Sequence, residues 1–196
     1  ALAMHVDTKG MNRSAAWVWF PEGYAAADRG DSATADSTSL RIANLTKQPH
    51  EPEAAPNEDV YVEIMAQSVA GLSAFRRGDR QSGLDIIERA AARYESVPFD
   101  YGPPVPVKPP HELAGELLLL LGRPAEARAY FERSLRLAPR RIESLQGLAE
   151  AAAAAGDEAA ARAAYTELME IWHSADAGYP AKSEAARWLA SHGNAG

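Results

Sequence analysis

The chain has 196 residues, no cysteine, and 20 basic against 27 acidic side chains, for a formal charge of −7. That length can bury a core without staples, and the absent cysteine excludes disulfide scaffolds, thiol nucleophiles and Cys-ligated metal sites. The acidic balance argues against a nucleic-acid phosphate binder, and a 46% hydrophobic share with only 8% aromatics and much alanine points to closely packed helices.

Residues 1–59 read as an irregular, partly helical region ending in a linker. The start, Ala-Leu-Ala-Met-His-Val-Asp, lacks a basic segment followed by a long apolar one, so it does not read as a signal peptide. With Met4 and Met11 internal, the chain reads as a fragment of something longer. Short helices are predicted over 14–20, 22–29 and 37–45, broken by Pro21 and by the turn signal Gly30-Asp31-Ser32. Trp17, Trp19 and Phe20 form a packing anchor rather than a ligand cage. Residues 46–59, with three prolines and four acidic groups, read as a loop.

From Val60 onward helical periodicity is strong. It is broken by Gly78-Asp79, by a proline-rich stretch, by Gly122-Arg123-Pro124, by Pro139 and by Gly156-Asp157. Gly115, Gly122, Ala127, Phe131 and Pro139 are each followed 34 residues later by Ala149, Gly156, Ala161, Tyr165 and His173. Each unit is two helices around a tight glycine turn, 112–121 with 124–137 and 142–155 with 158–172. Small residues let the paired helices approach, and the aromatic fills their seam. A divergent copy lies upstream, where Gly71, Gly78, Gly83 and Ala90 precede Gly115, Gly122, Ala127 and Ser134 by 44 residues. Hairpins of this kind cannot bury their apolar faces alone and stack on one another. The segment 180–191 reads as a last amphipathic helix, with Ala185, Ala186, Trp188 and Leu189 turned inward, covering the open end.

These residues resemble the tetratricopeptide repeat (TPR) family. Gly115, Ala127, Phe131, Ser134 and Pro139 fit its pattern of small, aromatic and proline positions. The next unit keeps Leu148, Ala149, Ala161 and Tyr165 but has His173 in place of proline. The upstream unit carries Ile87 at the aromatic position and Glu95 for proline. The resemblance covers about residues 62–191 and implies an all-α, TPR-like α-solenoid. Its hairpins are expected at about 62–95, 111–138 and 142–172, with a capping helix at about 180–191, so that 60–196 forms one repeat domain. The run from Tyr101 to Pro124 is similar to the C-terminal part of longer bacterial TPR proteins of undefined activity, which implies no reaction.

The resemblance also implies a concave groove lined by the first helix of each hairpin. Carried over by position, its residues are Leu72, Phe75 and Arg76, with Met65 and Ser68, in the first copy. The second supplies Glu112, Glu116, Leu119 and Leu120, beginning at Pro109. The third supplies Glu143, Gln146 and Glu150, ending at Ala153 and Ala154. Such a groove is acidic with an apolar strip, and it lacks the basic residues with which some TPR domains grip carboxylates. A protein or peptide partner, neutral to basic, suits it; nucleic acid does not. The alternative is that these glutamates simply solvate an exposed helical face.

The proline-rich stretch 98–110 reads either as a stiff spacer or as an internal ligand that lays Phe99 and Tyr101 across the groove. An SH3-type ligand is a weaker reading, because Pro103-Val105-Pro106 lacks a flanking arginine.

Catalysis leaves little trace. The five histidines are scattered, and no H-E-x-x-H, nucleophile elbow, Walker loop or dinucleotide fingerprint occurs. His111, Glu112 and Glu116 are the nearest approach to a cation site, but hard metals ask for more oxygen ligands. No cofactor is expected. No stretch reaches the roughly 18 apolar residues of a membrane helix. The reading is a non-enzymatic binding scaffold, in the cytoplasm or periplasm. Its rival is a helical accessory domain of a larger enzyme or transporter assembly, with the groove filled by its own chain. Association of copies through an edge bearing Trp17 and Trp19 is a further expectation.

Overall fold

A computed structural model describes residues 13–49, 57–98, 106–176 and 178–192. Phe99, Tyr101 and most of the proline-rich stretch lie outside the described residues, as do positions 1–12 and 50–56. Among the described residues every regular element is a helix, and none forms a strand. They are α1 (Ala15–Asp28), α2 (Ser32–Leu45), α3 (Glu58–Arg76), α4 (Arg80–Glu95), α5 (Pro110–Leu120), α6 (Pro124–Leu137), α7 (Ile142–Ala154), α8 (Glu158–Ile171) and α9 (Pro180–Ser191). The chain divides into two units, Ala1–Leu113 and Ala114–Gly196.

One turn recurs four times. Gly30, Gly78, Gly122 and Gly156 all have positive φ, between 69° and 106°. In each case the following residue's N–H reaches the carbonyl five residues back: Asp31 to Ala26, Asp79 to Ala74, Arg123 to Leu118 and Asp157 to Ala152. This is the left-handed helix stop that glycine adopts without a Cβ penalty, and it satisfies carbonyls the helix end would otherwise leave open. The next helix then starts at once. Asp31 and Asp157 cap it by accepting from the N–H of Thr34 and Ala160, at 3.1 and 3.0 Å. Helix α6 has no such side-chain cap; Pro124 starts it instead, occupying the first turn, where no N–H is needed.

In the first unit α1 and α2 pack on each other and both pack on α3, which also pairs with α4. Two expectations change here. Pro21 does not break the helix but lies inside α1, whose Ala15, Ala16, Phe20, Gly23, Ala26 and Ala27 are buried. Burial along that whole face outweighs the one hydrogen bond a proline removes. The N-terminal region therefore holds two full helices joined by the same glycine turn as the rest. Where α3 crosses α4, a Cβ on Gly83 would stand 2.6 Å from the Phe75 nitrogen and 2.7 Å from the Gly71 carbonyl oxygen. Only glycine allows that approach.

In the second unit α6 packs on α7, α7 on α8, and α8 on α9. Phe131 of α6 is fully buried. The Ser134 and Ser144 hydroxyls meet at 2.8 Å inside the same joint. Leu145, Ala149, Ala152, Ala161, Ala164, Tyr165, Leu168, Trp172 and Ala185 form a continuous core across α7, α8 and α9. Of the residues expected to face inward on α9, Ala185 is buried and Trp188 and Leu189 are half-buried, but Ala186 is exposed. The α9 stripe is narrower than the sequence suggests because the helix touches α8 alone among the described elements.

Candidate functional site

The expected groove residues fall into two groups. On α3, Leu72 and Phe75 are buried, at 1% and 5% exposure, and Met65 and Ser68 are buried with them. This helix is enclosed by α1, α2 and α4, so nearly every side of it is core. Arg76, at the end of α3, pairs with Asp28 of α1 at 2.5 Å, and Arg77 pairs with Asp36 of α2 at 2.9 Å. These cations tie helices together.

The second group lies on α5 and α7. Glu112, in the first turn of α5, is fully buried and takes an ion pair from Lys108 at 3.0 Å. His111 beside it is also buried, its Nε2 2.9 Å from Glu95 Oε1 and its ring 6.0 Å from that of Tyr94. The two first-turn residues are thus held by α4 and by the chain entering α5. Further along, Glu116 and Leu119 are half-buried and Leu120 is 55% exposed. On α7, Glu143 and Glu150 are exposed and Gln146 is half-buried. Gln146 donates to Glu150 at 2.9 Å, one helical turn along, and Arg141 stands 3.9 Å from Glu143. The outer stripe of α7 is therefore acidic and open.

Residues 110–141 match the tetratricopeptide repeat family. That span is α5, the Gly122 turn, α6 and the turn leading to α7. The described residues are all-α and carry a TPR motif, a helical architecture that in general serves protein interaction. No curated protein matches the chain.

Charge elsewhere in the second unit is largely structural. Arg128 of α6 bridges Glu132 at 2.7 Å and Asp157 at 2.5 Å, and these contacts raise its pKa. Among the described residues no group of three or more histidine, aspartate or glutamate side chains is placed to hold a metal. No helix of the described residues is long and apolar enough to cross a membrane. On α1 and α2, Trp17 and Leu40 are 37% and 65% exposed, while the Arg41 guanidinium lies 4.0 Å over the Trp19 ring.

One concavity was not anticipated. Between α8 and α9, Trp172, Ser174, Ala175, Asp176 and Tyr179 line an open hollow of about 430 Å³. Its signal in the sequence is two aromatics and an aspartate within eight residues of a helix junction. Without the turn geometry that spacing reads as an ordinary loop.

Proposed function

We propose that the protein is a non-enzymatic interaction scaffold whose partner-binding surface is the outer face of α5 and α7. Glu116, Leu119, Leu120, Glu143, Gln146 and Glu150 compose it. The observation that carries this reading is the contrast between helices. Met65 and Leu72 on α3 are core, whereas their counterparts on α7, Glu143 and Glu150, stand open to solvent, and Leu120 is exposed beside them. An exposed leucine beside the carboxylates of Glu143 and Glu150 suits a partner segment with an apolar anchor and basic flanks.

The same reading makes the four glycine turns the tips of four helical hairpins, α1–α2, α3–α4, α5–α6 and α7–α8, with α9 closing the second unit. The α1–α2 pair then fills the place where the first hairpin's groove would otherwise lie. Copies associate through an edge bearing Trp17 and Leu40, and light scattering across concentration tests that directly.

Fluorescence anisotropy with matched basic, neutral and acidic peptides tests the surface. Basic peptides should bind most tightly, weaken with added salt, and lose about tenfold in affinity to the E143K/E150K variant. Equal affinity across peptide charge, or an unaltered variant, overturns the reading. The rival, a groove covered by the chain's own proline-rich segment, draws on the Lys108–Glu112 pair. In that case K108A tightens basic-peptide binding instead of leaving it unchanged.

A further inference from the structure

The hollow between α8 and α9 has a chemistry of its own. Its floor is Trp172, 5% exposed and fixed in the core of the second unit. Its wall is Tyr179, 41% exposed, whose ring centre lies 5.2 Å from that of Trp172 with the planes at 80°. The two rings meet edge to face at nearly a right angle beside the hollow. The Tyr179 N–H is bonded to the Asp176 carbonyl at 3.1 Å, which sets the turn that brings wall and floor together. Pro180, at the first position of α9, fixes the chain just beyond.

At the rim stands Asp176. It is exposed, and among the described residues its carboxylate accepts no hydrogen bond and pairs with no cation. The one ammonium nearby, that of Lys182, is directed to the Ala175 carbonyl at 2.8 Å. The hollow thus offers aromatic surface, Ser174 and one free negative charge, while the Ala175 carbonyl is taken by Lys182.

The geometry points to a binding site for a methylated ammonium group. Aromatic faces carry negative quadrupole potential and attract cations, most strongly when the cation is poorly hydrated. A quaternary ammonium has no N–H to satisfy, so the aromatic side of the hollow costs it little. A primary ammonium or a guanidinium gives up several water contacts there and recovers only those that Ser174 and Asp176 can accept. The Asp176 carboxylate supplies long-range attraction without needing direct contact. This site does not depend on the surface proposed on α5 and α7, and either can fail alone.

Choline, its neutral carbon isostere 3,3-dimethylbutan-1-ol, and a short peptide bearing one trimethyl-lysine are the probes, titrated into the full chain and followed by nuclear magnetic resonance. Choline or the peptide should saturably shift the Trp172 indole and the Asp176 and Tyr179 amide resonances, with affinity on the order of millimolar for the small cation. The neutral isostere should bind at least about fivefold more weakly. D176N should weaken the cation roughly three- to tenfold, and Y179L at least about fivefold. Y179F keeps the ring and should stay within about twofold. Preference for choline marks a small free ligand, and preference for the peptide marks a modified protein tail; both support the site. Equal binding of cation and isostere overturns it, as does the absence of saturable shifts in a folded protein. A response in Y179L equal to wild type, with helical circular dichroism retained, also overturns it.

Discussion

Gly147 of α7 lies against the ring of Phe131 of α6 so closely that a Cβ there would stand 2.2 Å from two ring carbons. The same ring would meet a Cβ on Gly115 at 2.7 Å. Phe131 is fully buried, so it has no space into which to retreat. Overpacking in a dense interior costs about 1–3 kcal/mol, and the better helix propensity of alanine returns up to about 1 kcal/mol. G147A should therefore lose about 1–2 kcal/mol in urea unfolding. F131A should lose about 3–5 kcal/mol by leaving a cavity. The decisive measurement is the double variant F131A/G147A. If ring and backbone compete for one volume, its loss falls well short of the sum of the single losses.

That contact also shows what the sequence makes legible. Gly115, Phe131 and the glycine turns carry the repeat because each answers a local demand: a close approach, a seam, a left-handed stop. Helix α6 and helix α9 have the bounds read from their prolines and periodicity. The α1–α2 pair escaped for two physical reasons. Pro21 is tolerated inside α1 by burial, which no local rule registers. In addition, Gly23, Gly30 and Ala35 precede Gly71, Gly78 and Gly83 by 48 residues, outside the 34-residue period. Missing that pair meant missing what encloses α3, and so Leu72 and Phe75 read as groove when they are core. The α8–α9 hollow was illegible because it depends on a ring-to-ring angle.

The Lys108–Glu112 pair joins a fully buried carboxylate to a lysine 19% exposed. Glu112 also sits in the first turn of α5, where the helix dipole favours negative charge. Removing the cation leaves a buried acid with poorer compensation. K108M should cost about 1–3 kcal/mol, more than an exposed pair is worth. E112Q relieves the charge, so K108M/E112Q should be less destabilised than the single losses sum to, by about 0.5 kcal/mol or more. Strict additivity in denaturant unfolding would show that the two side chains act separately.

Asp157 serves two partners at once, the Ala160 N–H of α8 and the Arg128 guanidinium of α6. Its pKa lies below the ordinary 3.8, first because of the Ala160 hydrogen bond and then because of Arg128. The unfolded chain takes up this proton at higher pH than the folded one. The contribution is therefore complete above 3.8 and lost as pH falls through the lower folded value. Below pH 4 the melting temperature of D157A should fall less steeply than that of wild type. D157N keeps a good cap but not the charge, so at neutral pH it should melt between the two. Parallel acid limbs for wild type and D157A would remove Asp157 from this role.

Tyr165 shows the opposite sign. It is 9% exposed, and its ring centre lies 4.9 Å from that of Trp188 on α9. Burial raises its pKa above the ordinary 10.0, and the charges of Glu150 and Glu184 raise it further. Here the folded chain holds the proton more tightly than the unfolded one. Its contribution is complete below pH 10.0 and disappears as pH rises through the folded value. Ultraviolet titration should show a late tyrosine phase above the ordinary 10.0, and Y165F should lack that late phase. Because Glu150 is one source of the shift, E150Q should move the late phase toward lower pH without abolishing it. An unmoved phase in E150Q would mean that the α7 carboxylate does not act on the aromatic seam.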